Sequence, residues 1–302
     1  MRHIPVLTNE AIESLSLKPG AKAVDCTLGD AGHSEKILQA IGENGKLIGI
    51  DLDPEAIMRA KQYLYNFEKQ VVYERGSFTE LGKILQTHGW ENCDAILMDL
   101  GWSTPQFSER GRGFSFEKSE PLDMRFGGML ENVKTAAEIL NEKSKEELEK
   151  IFKDYGEEKW ASDIAKKIVE ARKINPIDTT DKLTELVLQV YREKLGSVKE
   201  IPWVGGTHPA TQVYQSLRIA VNSELEALKQ ALPQAVAALC QGGRLAVITF
   251  HSLEDRLVKH YFQTIAGKTV KIINKKPIIA SKNELEANPR ARSAKLRVVE
   301  KL

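Results

Sequence analysis

Short apolar runs alternate with amphipathic stretches along roughly the first third of the chain. The runs "AKAVDCTL", "KLIGID", "VVYERGSF" and "DAILMDL" have too few polar positions for a solvated face, so each predicts a buried strand. Ser34 to Ala40 and "PEAIMRAKQYL" carry helical periodicity, the second with Asp53 placed as N-cap and Pro54 as first helical residue. Strand, helix, strand in this order predicts a parallel sheet. From Glu138 to Gly196 the pattern turns helical: "SKEELEKIFKDYG", with Ser144 and Glu147 as a capping box and Gly156 as the stop, then "EEKWASDIAKKIVEAR" and "DKLTELVLQVYREKLG". A long helix "HPATQVYQSLRIAVNSELEAL" follows, then a second one broken by Pro233. The strand pattern resumes at "GGRLAVITF", and "KTVKIINK" and "AKLRVVEK" are placed to complete the sheet. The expectation is an α/β protein with residues 1–104 plus 209–302 in the sheet domain and 105–208 in an inserted all-helical domain.

In an open parallel sheet, ligands collect outside the carboxyl ends of the strands, so Gly29, Asp51, Phe78 and Asp99 are expected to share one crevice. Gly29 and Gly32 let the chain turn sharply after the first strand and approach a ligand, and the N-terminus of the helix that follows attracts negative charge. Asp51 lies 22 residues beyond Gly29, near the spacing of roughly 20 at which an acid accepts hydrogen bonds from ribose hydroxyls. A dinucleotide needs GxGxxG, and the corresponding Gly29, Asp30, Ala31, Gly32, His33 departs from it. A nucleoside with a small charged appendage, such as S-adenosylmethionine, asks only for a looser turn and the acid. An ordinary strand-to-helix turn would look much the same.

The six histidines form no HExxH and no Cys/His ligand spacing, so no metal site is expected. His251 and Ser252 follow a strand without GxSxG, which leaves Ser252 as a helix cap. The loop "DLGWSTPQFSERGRGFSF" joins Trp102, Phe107, Phe114 and Phe116, able to stack an extruded base, to Arg110 and Arg112, able to meet phosphates; the plainer reading is a loop whose aromatics cap the sheet edge. Gln215, Arg218 and Asn222 form a polar stripe opposite Val213, Leu217 and Val221, ordinarily a solvated face.

With 302 residues, 42% hydrophobic and 28% charged, the chain has room for about two globular domains. Cys26, Cys93 and Cys240 form no CxxC pair, which fits a reducing cytoplasm, and the N-terminal stretch lacks an apolar run long enough for a signal peptide or membrane span. The net charge of +1 hides an asymmetry, because residues 267–302 hold ten Lys or Arg against three acids. Arg290, Arg292, Lys295 and Arg297 are placed to neutralise phosphates, or else to guard a sheet edge.

Ten stretches together, "HIPVLTNEAI", "DCTLGDAGHS", "GIDLDPEAI", "DLGWSTPQ", "RGFSF", "PLDMRF", "YGEEKWASDIAKKIVEAR", "HPATQVYQSLRIAVNSELE", "FHSLEDRLVK" and "NPRARSAKLRV", resemble the ribosomal RNA small subunit methyltransferase H, or MraW, family from His3 to about Arg297. The resemblance implies a class I, Rossmann-like, S-adenosylmethionine-dependent methyltransferase with a helical insert. The implied reaction is methylation of N4 of a cytidine in the decoding centre of 16S rRNA, with the small ribosomal subunit as partner. It implies cofactor contacts at Ala31, Gly32, His33, Asp51, Phe78, Asp99 and Gln106, in addition to Gly29. Asp99, assisted by Ser103 or a backbone carbonyl, is expected to accept the amine proton. Trp102, Arg110, Arg112, Gln215, Arg218, Asn222, Arg290 and Arg292 are expected on the RNA side. Two positions depart from the family pattern: Ala31 stands where glycine is usual and Thr104 where a serine is. If position 31 needs positive φ, the extra Cβ costs roughly 1–2 kcal/mol, and Ala31→Gly is expected to tighten cofactor binding. The alternative reading is a ribosome-assembly factor that binds rRNA with weakened or lost methyl transfer. The oligomeric state is left open, a homodimer included.

Overall fold

A computed structural model describes residues 4–101, 111–126, 133–196 and 208–302. The chain divides into two compact units, Met1–Ser103 with Leu225–Leu302, and Thr104–Glu224.

The first unit is one sheet: β1 (Lys22–Asp25), β2 (Lys46–Asp51), β3 (Val71–Arg75), β4 (Cys93–Asp99), β5 (Leu239–Thr249), β6 (Val270–Ile272), β7 (Ile278–Ile279) and β8 (Lys295–Lys301). The order is β3-β2-β1-β4-β5-β8-β6, with β7 also on β8. The first five strands are parallel, and β8 runs antiparallel to β5, β6 and β7. Because side chains alternate across a strand, neighbouring residues serve opposite faces. Ala23, Leu47, Leu97, Ala246 and Val298 pack with α1 (Thr8–Leu15) and α2 (Gly32–Ile41). Val24, Ile48, Ile96, Val247 and Val299 pack instead with α4 (Leu81–Thr87) and the later helices of this unit. Covering both faces explains why these strands read as nearly unbroken apolar runs. The strand order, with crossover helices on both faces, makes this a class I, Rossmann-like methyltransferase sheet. The two late apolar runs join it as expected, but β3 ends at Arg75, before Phe78.

The second unit contains α5 (Ala136–Glu142), α6 (Lys145–Gly156), α7 (Ala161–Ala171), α8 (Thr180–Leu195) and α9 (Thr211–Asn222), packed around Leu148, Phe152, Ile164, Leu183, Val187, Val213 and Leu217. The Ser144–Glu147 capping box is present. Gly156, expected to stop that helix, is instead its last helical residue, and Glu157 at φ 51° makes the left-handed cap. The glycine serves packing: a Cβ there would meet the Gln212 carbonyl oxygen at 2.7 Å. The long helix expected after His208 is two helices, because Ser223 adopts φ 48° and returns its N–H to the Ile219 carbonyl. The first of them, α9, buries Val213, Tyr214, Leu217 and Val221 in the helical unit, so this unit reaches Glu224 where the sequence placed the boundary after residue 208.

Helix α10 (Glu224–Ala238) runs through Pro233 without breaking, contrary to expectation. The proline forfeits a helix hydrogen bond at a cost of about 3 kcal/mol, but Leu228, Ala231, Leu232, Ala235 and Val236 are all buried against the sheet. Burial of that many side chains outweighs one lost bond. The first unit is completed by α3 (Pro54–Tyr63), α11 (Ser252–Ile265) and α12 (Lys282–Ala287). Among the described residues, no helix is long and apolar enough to cross a membrane.

The close approach at Gly156 yields a test. Gly156→Ala is expected to lower the unfolding free energy by about 1–3 kcal/mol, read by chemical denaturation of the whole chain. An unchanged midpoint would show that α6 and α9 can move apart at no cost.

Candidate active site

The site begins with a buried carboxylate. Asp25, 1% exposed, ends β1. Its Oδ1 accepts from the Thr27 N–H at 3.1 Å and from the Thr27 hydroxyl at 3.4 Å, while Oδ2 accepts from the Ser34 hydroxyl at 2.7 Å. Thr27 Oγ1 in turn accepts the backbone N–H of Asp99 at 2.8 Å. One side chain therefore ties the ends of β1 and β4 to the first turn of α2. None of Asp25, Thr27 and Ser34 was singled out from the sequence, although an acid inside an apolar run was the available sign.

The turn itself is built from opposite backbone requirements. Gly29 has φ +49°, and its N–H donates to Asp51 Oδ2 at 2.8 Å. Asp51 Oδ1 accepts from the Asp53 N–H at 2.9 Å, and Asp53 caps α3 ahead of Pro54 as the sequence indicated. Each oxygen of Asp51 thus has one donor and a lone pair to spare, which suits a ligand with paired hydroxyls. Burial pushes the Asp51 carboxyl up to about 6, against the pull of these two N–H groups. Gly32 has a second reason to be small. It is helical, and a Cβ there would strike Pro5 Cγ at 2.7 Å, so the N-terminal segment also requires it small.

Ala31 has φ 58°, the left-handed conformation suspected from its place in the turn, and its methyl is fully buried. In that conformation a Cβ costs roughly 1–2 kcal/mol. Asp30 accepts from Arg59 Nε at 2.7 Å. His33 is 5% exposed, with Nε2 at 2.9 Å from the Val6 carbonyl and Nδ1 at 3.5 Å from Asp99 Oδ2. Phe78 lies in a tight turn beyond β3 and packs on the apolar face that includes Leu81 and Ile84.

Asp99 ends β4. Its Oδ1 is buried and has no hydrogen-bond partner among the described residues. Burial pushes its carboxyl up to about 6; His33 opposes this, while the negative charges of Asp25 and Glu254 add to it. Gly29, His33, Asp51 and Asp99 thus come together at the carboxyl ends of β1, β2 and β4. Trp102, Ser103, Thr104, Gln106, Phe107 and Arg110 lie outside the described residues.

Several residues expected to meet RNA are engaged internally. Arg218 is 5% exposed and forks onto Glu224 at 2.7 and 2.9 Å, as a guanidinium buried among apolar groups must. Asn222 donates to the Met124 and Arg218 carbonyls and accepts from the Phe126 N–H; Gln215 donates to the Tyr155 carbonyl. Arg112 donates to the carbonyls of Arg125 and Phe126. The stripe on α9 is therefore an internal polar seam and not a solvated face, and these four side chains hold the helical unit and its loops. Phe116, half-buried, stacks on His208 at 4.4 Å between ring centres, and Phe114, buried, on Phe126 at 5.8 Å, so Phe114 is not presented to a base. In the basic tail, Arg297 is buried against Asp255 at 2.6 and 3.1 Å, because β8 lies inside the sheet. Arg290 and Arg292 are exposed. Ser252 begins α11 without being its cap, which is His251.

Two measurements follow from this geometry. Ala31→Gly relieves about 1–2 kcal/mol of left-handed strain but loses a buried methyl worth about 0.8 kcal/mol and gains unfolded-chain freedom worth about 0.4–1 kcal/mol. The unfolding free energy is expected to move by less than about 1 kcal/mol, while the cofactor Kd is expected to tighten; an unchanged or weaker Kd by calorimetry would show that the strain of the turn does not act on binding. Asp99 holds its proton more tightly in the folded chain, so its contribution to stability is full below the ordinary carboxylate range and is lost as pH rises through about 6. Asp99→Asn is accordingly expected to raise stability at pH 8 by up to about 3 kcal/mol and to confer no gain near pH 4. Equal melting curves at pH 8 would contradict the buried charge.

A family model for the MraW methylase family matches residues 1–302. The chain is 44% identical to a protein of Paenibacillus sp. (strain JDR-2) over 325 residues, covering 100% of this chain and 99% of that one. It is 44% identical to a protein of Clostridium botulinum (strain Loch Maree / Type A3) over 317 residues, with coverage of 100% and 99%. With a protein of Clostridioides difficile (strain 630) the identity is 41% over 316 residues, at 99% of each. All three relatives are named ribosomal RNA small subunit methyltransferase H. Matched over its whole length, the chain belongs to the MraW methylase family.

Proposed function

We propose that this protein is an S-adenosylmethionine-dependent rRNA methyltransferase of the small ribosomal subunit that methylates N4 of a cytidine in the decoding centre of 16S rRNA. The observation that carries the reading is Asp99 Oδ1, a buried carboxylate oxygen without a partner among the described residues, at the strand end where a reacting group would arrive. Burying an acceptor unpaired costs about 1–3 kcal/mol, so a donor supplied by the substrate is the natural completion. A cytosine amino group is such a donor.

The residues present suit the cofactor. Asp51 keeps a lone pair on each oxygen for the ribose hydroxyls, held in place by Gly29 and Asp53. Bound S-adenosylmethionine supplies a methyl group on a positively charged sulfur, a good leaving group that needs no acid from the protein. The tasks left to this chain are orientation, exclusion of water and acceptance of one proton. The N4 lone pair of cytosine is delocalised into the ring, so the amine becomes nucleophilic as its proton is drawn toward an acceptor. Asp99 is that acceptor, a role worth roughly 100- to 10,000-fold in rate, while orientation of the reactants is worth roughly 7–11 kcal/mol in principle. Arg290 and Arg292, exposed on a turn of the basic tail, offer sequence-independent attraction to phosphates. Nothing about the turn favours an assembly factor without catalysis: Asp30 is bound by Arg59, and Ala31 already has the conformation the turn needs.

The test is transfer of radiolabelled methyl to small subunits that lack the modification, followed by nucleoside analysis of the digested RNA. Label is expected in N4-methylcytidine, and Asp99→Asn is expected to cost 100-fold or more in turnover, on the order of what a general base contributes. Label in another nucleoside, or full turnover by Asp99→Asn at saturating cofactor, would overturn the reading.

A further inference from the structure

The N-terminal motif "HIPVLTNEAI" has no part in the chemistry described so far, yet its backbone reaches the site. Leu7 is fully buried at φ 49°, its N–H donates to Glu284 of α12 at 2.6 Å, and Asn288 donates to the Ile4 carbonyl at 3.1 Å. Clamped in this way, Val6 presents its carbonyl to His33 Nε2 at 2.9 Å. A carbonyl only accepts, so Nε2 carries the hydrogen, and the neutral ring then has a bare Nδ1. That nitrogen faces Asp99 Oδ2 at 3.5 Å. Two lone pairs meet across a gap that one proton would close.

We propose that His33 is a positioning residue for methyl transfer: with its tautomer fixed by Val6, it forms with Asp99 a pair that stores the proton released by the cytidine amine. The inference rests on the function proposed above. In the transfer, the amine nitrogen gains a bond to the methyl carbon, the bond from that carbon to sulfur breaks with its electrons remaining on sulfur, and the nitrogen gives up one proton. Asp99 takes that proton at the carboxylate and passes it into the gap between Oδ2 and Nδ1. Before the reaction the pair is one negative charge with room for one proton; after it, the pair is neutral. Among the described residues, the other ionisable groups facing Asp99 are Asp25 from β1 and Glu254 from the first turn of α11, and both carry the sign that resists its ionisation, while His33 opposes them.

The pair therefore sets the acid limit of the reaction, because a pair already protonated accepts nothing. His33→Gln keeps an N–H for Val6 and removes the titrating ring. In single-turnover methyl transfer at saturating cofactor, the acid limb of the rate profile is expected to move downward by about one pH unit, because Asp99 alone takes up a proton less readily than the pair does. An acid limb unmoved by His33→Gln, or a rate lowered equally at every pH, would overturn the proposal and leave His33 a packing residue. The second readout uses the wild-type chain without cofactor, so it survives if the variant fails to fold. Nitrogen-15 NMR of the His33 ring is expected to show a protonated Nε2 and bare Nδ1 at high pH, with the Nδ1 resonance displaced by Asp99→Asn. A bare Nε2, or an Nδ1 resonance indifferent to position 99, would sink it. Failure of the wild type to transfer methyl at any pH would instead defeat the functional reading, while the NMR result would still decide whether the pair exists.

Discussion

Asp25 is an acid placed at the end of an apolar strand, and its two oxygens decide where three separate pieces of chain go. Through Thr27 it fixes the backbone of Asp99 on β4, and through Ser34 it fixes the first turn of α2. Without those donors the buried charge would be untenable, so folding of the turn and satisfaction of Asp25 are one event. The position of Gly29 against Asp51 and of His33 against Asp99 depends on that turn. The candidate site is thus organised from below, by a residue that no ligand need touch.

The cost of this arrangement is electrostatic. Asp25 lies in a low-dielectric setting where its charge makes the ionisation of both Asp51 and Asp99 harder. A sequence selected for stability alone would remove at least one of them. The unfavourable charge is tolerated because the surrounding sheet is covered on both faces by apolar side chains, which leaves a margin for local conflict at the working end.

The sheet was largely legible in the sequence because strands covered on both faces read as plain apolar runs, and because Asp53 and Pro54 mark a helix start with little ambiguity. The crevice residues Gly29, Asp51 and Asp99 were legible for the same reason, since parallel strands put their ends on one side. What stayed hidden depends on contacts between distant segments. Gly156 looked like a helix stop, but it is small because Gln212 lies against it; Gly32 is small because Pro5 does. Arg218 and Asn222 looked like a polar face because a one-dimensional pattern cannot tell solvent from a buried partner such as Glu224 or the Met124 carbonyl. Pro233 looked like a break because propensity ignores the sheet on which α10 packs.

The sheet unit is assembled from two stretches of chain, with the helical unit between them. On a ribosome, β4 emerges long before β5, the strand that pairs along it from Cys93 to Asp99. At about 5–20 residues per second, the intervening chain takes on the order of ten seconds to appear. For that interval β1 to β4 expose an unpaired edge at the centre of the future sheet. The nascent chain is therefore most open to wrong strand pairing at the very edge where the Asp99 carboxylate will sit, and a holding chaperone would protect it best there.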